Sequence, residues 1–182
     1  MIDPILEKMF FEDLNDLVIA ADDVAVLRED ANLYHAAIIL SNSFSTIPVL
    51  SSDDEVLARL SLADILNASI DDGLYNMQKL YDLDVKDILD PEHNEKQRLV
   101  SIPVGAPLED ILGALNNSNF TAVVDGNGKF LGIITRRAVM SRINRIFHTI
   151  DKRYMIIPKL SSNDNLNDYL TEKGIEILKE ED

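Results

Sequence analysis

Two junctions in the chain combine residue types that can do chemistry. One is Ser61-Leu62-Ala63-Asp64, which follows Ala58-Arg59-Leu60; the other is Thr135-Arg136-Arg137-Ala138, which follows Gly132-Ile133-Ile134. A hydroxyl where a strand runs into a helix caps the helix and stands beside backbone N–H groups that the helix leaves unsatisfied, so the position suits a phosphate. An Asp three residues on can accept hydrogen bonds from ribose hydroxyls, or it can close a capping box with the Ser. Spacing leaves both readings of Ser61 and Asp64 open. In the second junction Ala138 holds the acidic position and two guanidinium groups follow Thr135. Basic side chains at a helix N-terminus oppose the macrodipole unless an anion compensates. Arginine forks bind phosphate bidentately, so Arg136 and Arg137 are read as an anion site, with solvated arginines on an acidic surface as the alternative.

Other chemistries are poorly supported. The chain has no cysteine, which excludes a disulfide framework, a cysteine zinc site, an iron–sulfur cluster and thiol catalysis. His35, His93 and His148 lack metal-ligand spacing. Asp22-Asp23 and Asp53-Asp54-Glu55 read as solvated loops. Gly126-Asn127-Gly128 with Gly132 lacks the spacing of a dinucleotide fingerprint and falls inside a hairpin. With no nucleophile motif and no P-loop, the expectation is a protein with no catalytic residues, no metal and no cofactor.

The elements that must position these junctions follow from periodicity. Residues 4–17 read as a helix, with Ile5, Leu6, Met9, Phe10, Leu14 and Leu17 at helical spacing. Residues 18–27 read as extended, and Asn32 caps a helix bearing Leu33, Ala36, Ala37 and Leu40. Residues 44–50 and 56–60 read as a hairpin, and Ser61 opens a helix through Leu66. After an acidic connector over 71–82 the same order returns: a short helical piece at 85–89, an extended run at 98–104, and a helix behind Pro107 with Leu108, Ile111, Leu112 and Leu115 inward. A hairpin at 120–124 and 130–134 follows, then a helix from Thr135 through Phe147. The halves superpose at an offset near 75, so the architecture is a tandem repeat in an α/β (α+β) fold, each copy a small sheet packed against two helices. The expected organisation is an N-terminal helix over 1–17, repeats over 18–70 and 83–148, the connector 71–82, and an acidic C-terminal extension over 149–182. Units of about 60 residues are marginal alone, so the two copies should share an interface.

The whole chain of 182 residues carries 17 Lys+Arg against 32 Asp+Glu, a net charge of −15. That balance opposes nucleic acid as a partner. Yet six of the basic residues fall within 136–153, where Asp151 is the one acid. The longest apolar runs are five residues, far short of the roughly 18 a membrane span needs, and Met1-Ile2-Asp3-Pro4 does not resemble a signal peptide. The expectation is a cytoplasmic protein without a membrane role.

The repeated pattern of apolar strand, Ser/Thr and a charged first turn, with Phe44-Ser45-Thr46-Ile47-Pro48-Val49 as its other half, resembles the nucleotide-site motif of CBS domains. The tandem copy over 18–148 is similar to a CBS pair, or Bateman module. Gly132-Ile133-Ile134-Thr135-Arg136-Arg137, with Asn117–Phe120 upstream, resembles the stand-alone CBS proteins of Firmicutes that bind cyclic di-AMP, the DarB/CbpB type. The resemblance implies a ligand cleft contacted by Asp23 and Ala25, by Phe44, Ser45, Thr46 and Ile47, and by Thr135, Arg136 and Arg137. A basic residue of that family corresponds to Asp23 here. Ser61, Asp64, Phe120 and Thr121 mark a second candidate nucleotide site. The resemblance also implies a non-enzymatic regulator, a homodimer, and a regulated partner such as a (p)ppGpp synthetase/hydrolase. An AMP, ADP or ATP energy sensor and a ligand-free interaction scaffold are the alternatives.

Overall fold

Alternating apolar residues build two separate sheets, each with a parallel pair followed by a hairpin. The structure, a computed structural model, describes residues 2, 4–12, 17–42 and 45–153. The first sheet holds β2 (Leu27–Arg28), β3 (Ile47–Leu50) and β4 (Val56–Leu60), with β2 parallel to β3 and β3 antiparallel to β4. The second holds β7 (Ser101–Pro103), β8 (Phe120–Val124) and β9 (Phe130–Thr135) in the same relation. Both hairpins shift register at matching places, Val49/Leu50 and Val123/Val124. The tandem repeat is thus present at the level of single backbone bonds.

One strand departs from that symmetry. β1 (Val18–Ala20), which sequence assigns to the first repeat, pairs antiparallel with β9 of the second, giving a sheet ordered β1-β9-β8-β7. Residues 18–27 therefore do not form one extended run: β1 ends in a 3-10 turn at Ala21–Asp23 before β2 begins. Other bounds also differ. α1 stops at Phe11 (Pro4–Phe11), and residues 13–16 of the longer expected helix lie outside the described residues. The first strand of the hairpin begins at Ile47 rather than 44, and the run expected over 98–104 is reduced to β7. The connector is not structureless, since β5 (Ile70–Asp71) and β6 (Leu74–Tyr75) form a small hairpin ahead of α4 (Gln78–Asp82). Of the expected C-terminal extension over 149–182, residues 154–182 lie outside the described residues.

Most of the expected helix faces are buried, with Ala37 and Leu112 only partly so, but Ile5 and Leu6 of α1 are exposed. α2 (Leu33–Ser41) is capped by the Asn32 side chain, which accepts from the Tyr34 amide at 3.0 Å, and it buries Leu33, Ala36 and Leu40. α3 (Leu62–Ala68) buries Ile65 behind its Ser61 cap. α5 (Leu108–Leu115) buries Leu108, Ile111, Ala114 and Leu115. Pro107 offers it no capping side chain, and Glu7 of α1 supplies the acceptor instead, at 2.9 Å from the Leu108 amide. α6 runs over Arg136–Arg153. The described residues through Ile146 make one compact unit, and those from Phe147 fall outside it.

Each repeat has its own core, around Leu33, Ile47, Leu60 and Ile65 in the first and Phe10, Ile111, Ile134 and Val139 in the second. Each such side chain contributes about 1.5–3 kcal/mol by leaving water. A third cluster of Leu50, Ala122 and Phe130 joins the two. Beside it the Phe130 amide donates to the Asp54 carbonyl at 2.9 Å. The shared interface that small repeats require is therefore made of both apolar contact and backbone pairing.

The β1–β9 crossover depends on Gly132. Its φ is +151°, and a Cβ there would lie 2.1 Å from the Ile19 carbonyl oxygen, a backbone atom with no freedom to yield. Gly132→Ala is expected to cost about 2–4 kcal/mol, read from urea unfolding midpoints. A loss below about 0.5 kcal/mol would show that the crossover tolerates a side chain.

Candidate functional site

Where β1, β3 and the start of α6 converge, a cavity of about 790 Å³ opens. Ile19 of β1 and Asp23, Val24 and Ala25 of the segment behind it form one wall. Ser45, Thr46, Ile47 and Pro48, leading into and along β3, form a second. Asn119 and Phe120, with Ile133, Thr135, Arg136, Arg137 and Met140, complete it from the second repeat. Its volume lies within the usual range for small-molecule sites. Apolar side chains come from both repeats, the two guanidinium groups stand at the start of α6, and Asp23, Ser45, Thr46 and Asn119 add polar groups to the other walls.

Of the residues chosen from sequence, the structure brings Asp23, Ala25, Ser45, Thr46, Ile47, Thr135, Arg136 and Arg137 around this one cavity. Phe44 lies outside the described residues. Sequence reasoning missed Ile19, Val24, Pro48, Asn119, Ile133 and Met140. Met140 stands three residues beyond Arg137 on α6, a spacing that could have found it. Ile19 carried no comparable signal, because it reaches the cavity only through the crossover strand.

The two arginines do different things. Thr135 Oγ1 accepts from the Ala138 amide at 3.1 Å and caps α6. The Arg136 amide donates to the Asn119 carbonyl at 2.8 Å, and its Nη2 donates to the carbonyls of Leu115 at 2.6 Å, Asn116 at 3.3 Å and Ser118 at 2.7 Å. Leu115 and Asn116 close α5 and Ser118 lies in the turn beyond, so Arg136 places positive charge against the negative end of that helix. Its Nε and Nη1 make no hydrogen bond among the described residues. Arg137 is exposed and its side chain has no partner among the described residues. It stands at the positive end of α6, where its own charge is unfavourable without an anion. Asp23 is the acid in the cavity lining.

The second group divides rather than assembling. Ser61 and Asp64 close on each other: the Ser61 side chain accepts from the Asp64 amide at 3.3 Å, and Asp64 Oδ2 accepts from the Ser61 amide at 2.9 Å and from the Ser61 hydroxyl. This is the capping-box reading of that spacing. Thr121 is fully buried, and its hydroxyl donates to the Val100 carbonyl at 2.7 Å. Phe120 lines the first cavity instead. Near Ser61 stands Arg59, whose guanidinium is pushed down in pKa by burial and held up by the Asp64 charge. Among the described residues no group of three or more acidic or histidine side chains is arranged to hold a metal ion.

Comparison with known proteins extends this geometry. The CBS domain family profile matches residues 14–71 and 85–145. Cyclic di-AMP receptor B of Bacillus subtilis (strain 168) is 25% identical over 143 residues, which is 76% of this chain and 91% of that protein. The crystal structure of CbpB from Streptococcus agalactiae superposes with a TM-score of 0.74 at 26% identity, over 87% of this chain and 96% of that one. The Listeria monocytogenes CbpB protein, solved in complex with c-di-AMP, superposes with a TM-score of 0.64 at 31% identity, over 75% and 98%.

The unequal roles of the arginines can be separated by stability. Arg136→Ala removes the charged donor that three carbonyls share and is expected to cost about 1.5–3 kcal/mol. Arg137→Ala should change stability by less than about 0.5 kcal/mol. Denaturant midpoints of the two variants without ligand decide it, and equal losses would show that the division is wrong.

Proposed function

The chain belongs to the CBS domain family, and from that premise we propose that it is a non-enzymatic regulator that binds c-di-AMP in the cavity headed by Arg137. The observation that carries the reading is the pairing of a guanidinium at the start of α6, without a partner among the described residues, with apolar walls drawn from both repeats. A phosphodiester placed there meets the Arg137 fork, the open Nε and Nη1 donors of Arg136, and the positive end of the helix. Adenine rings meet Ile19, Val24, Ile47, Ile133 and Met140. The relatives named above support this ligand, one by its name and one by its bound state.

A cyclic dinucleotide fits this chemistry better than AMP or ATP. It carries two phosphodiester charges and no free ribose diol, and the cavity offers arginines where an energy-sensing site needs an acidic ribose ligand. The residue in that place is Ala138, and the acid of the other junction, Asp64, is spent on its own cap. Because the ligand touches both repeats, binding draws them together. A partner protein whose affinity differs between the free and bound forms can read that change. In this proposal the chain works as a homodimer in the cytoplasm, and a (p)ppGpp synthetase/hydrolase is the kind of partner it controls. Among the described residues no helix is long and apolar enough to cross a membrane.

Calorimetric titration with c-di-AMP, c-di-GMP, AMP and ATP tests the reading. Binding of c-di-AMP alone is expected, weakened about 10- to 100-fold in Arg137→Ala and unchanged in Asp64→Ala. Asp23→Asn should tighten binding severalfold at low salt, since it removes a like charge facing the phosphates, with the gain shrinking as salt rises. Saturating ligand should raise the melting midpoint by about 5–10 °C. Selective AMP or ATP binding that Asp64→Ala abolishes would replace this function with an energy sensor.

A further inference from the structure

The hairpins place Ile47 opposite Leu60 and Thr121 opposite Ile134, so equivalent residues of the two repeats are 74 apart. Arg59 therefore stands where the second repeat has Ile133, and Ile133 lines the open cavity. The segment ahead of β7 differs in the same sense. Where the first repeat sends β1 across to β9, residues 90–97 of the second coil into successive turns, with the Asn94 amide on the Asp90 carbonyl at 2.8 Å and the Gln97 amide on the Asn94 carbonyl at 2.9 Å. Buried Gln97 fixes those turns, donating from Nε2 to the Ile88 carbonyl at 3.1 Å and accepting from the Asp90 amide at 2.7 Å.

The turns turn carbonyls toward Arg59. Its Nε donates to the Lys96 carbonyl at 2.7 Å, and Nη2 reaches the Glu95 carbonyl at 3.4 Å. From the other side Nη1 donates to Ser118 Oγ at 2.6 Å and Nη2 to the Asn117 carbonyl at 3.1 Å. The Arg59 amide also donates to the Gln97 carbonyl at 2.8 Å. The guanidinium plane is thus held by four neutral acceptors from two segments, a cradle matched to a flat cation with forked donors.

We propose that Arg59 is a built-in occupant of the second cleft: its guanidinium fills a site specific for that ion and restricts the chain to one nucleotide, held in the cavity of Arg137. The count of one rests on the c-di-AMP reading; the occupancy by Arg59 does not. The surrounding chemistry agrees with occupancy, since Asp64, the acid that would meet a ribose there, is closed on Ser61.

Two measurements test this. Titration of the wild-type chain should give one c-di-AMP per chain, and a count of two overturns the proposal. Thermal melts of Arg59→Ala should show a midpoint lowered by about 4–10 °C and selectively restored by millimolar methylguanidinium, with sodium chloride as the control and no matching rise in the wild type. A variant that melts with the wild type, or that methylguanidinium shifts no more than the wild type, overturns it. Arg59→Lys keeps the charge but loses the fork, and it covers the case in which the alanine variant does not fold. It should melt below the wild type without responding to methylguanidinium, and a wild-type midpoint overturns the proposal. Absence of any c-di-AMP binding removes the first-cavity reading and leaves the melts to judge Arg59.

Discussion

The pairing of Val18–Ala20 with Gly132–Ile134 is the constraint on which the site depends. Without it the cavity would lose the wall that Ile19, Asp23, Val24 and Ala25 supply. With it, the chain leaves β1 through the Ala21–Asp23 turn and lays Asp23, Val24 and Ala25 across from the start of α6. The pairing is possible because residue 132 has no side chain, so that the Ile19 carbonyl can come as close as it does. A backbone requirement at one glycine thus decides which side chains face one another some 110 residues apart in the chain.

Electrostatics then divides the two adjacent arginines. Helix α5 ends at the Leu115 and Asn116 carbonyls, α6 begins at its positive end, and the turn between α5 and β8 lies beside both. Arg136 serves the α5 end by donating to the Leu115 and Asn116 carbonyls there, and it also reaches Ser118 in the turn beyond. Arg137, one residue on, has no such outlet among the described residues and adds its charge to a helix end that is already positive. Local stability would disfavour it, so its place in the fold makes sense as a charge held ready for an anion. That logic also reconciles a chain of net charge −15 with a phosphate ligand: the acidity repels polyanions at long range, and the site acts only at contact distance.

Much of this was legible in the sequence because repeats and caps are local signals. The hairpins, the Asn32 cap, the buried faces of α2 and α5, and the hydroxyl-led junctions all follow from short-range spacing. Eight residues around the cavity came instead from the resemblance to cyclic di-AMP-binding CBS proteins, which implied contacts from both repeats. What stayed hidden depends on partners distant in sequence. The crossover of β1 follows from no pattern within 18–27, and Glu7 capping α5 joins residues 101 positions apart. Arg136 could not be told from Arg137 by type or spacing, since the difference lies in which carbonyls α5 leaves at its end. Arg59 looked like an ordinary strand residue, and its acceptors at residues 95–96 and 117–118 lie in segments to which the sequence assigned no element.

The two junctions can finally be compared residue by residue. The first repeat reads Arg59-Leu60-Ser61-Leu62-Ala63-Asp64, and the second reads Ile133-Ile134-Thr135-Arg136-Arg137-Ala138. Positive charge lies before the hydroxyl in one and after it in the other. Before the hydroxyl the residue is on a strand, and its side chain runs into the cleft beside the sheet; Arg59 therefore meets carbonyls of the chain itself. After the hydroxyl the residue is on the first turn of a helix, at the cavity's polar edge; Arg137 therefore meets whatever enters. Moving a guanidinium across one hydroxyl is enough to make two equivalent clefts unequal, one filled from within and one open to a ligand. The acid follows the same rule in reverse, because Asp64 satisfies a cap that Thr135 makes without help from Ala138.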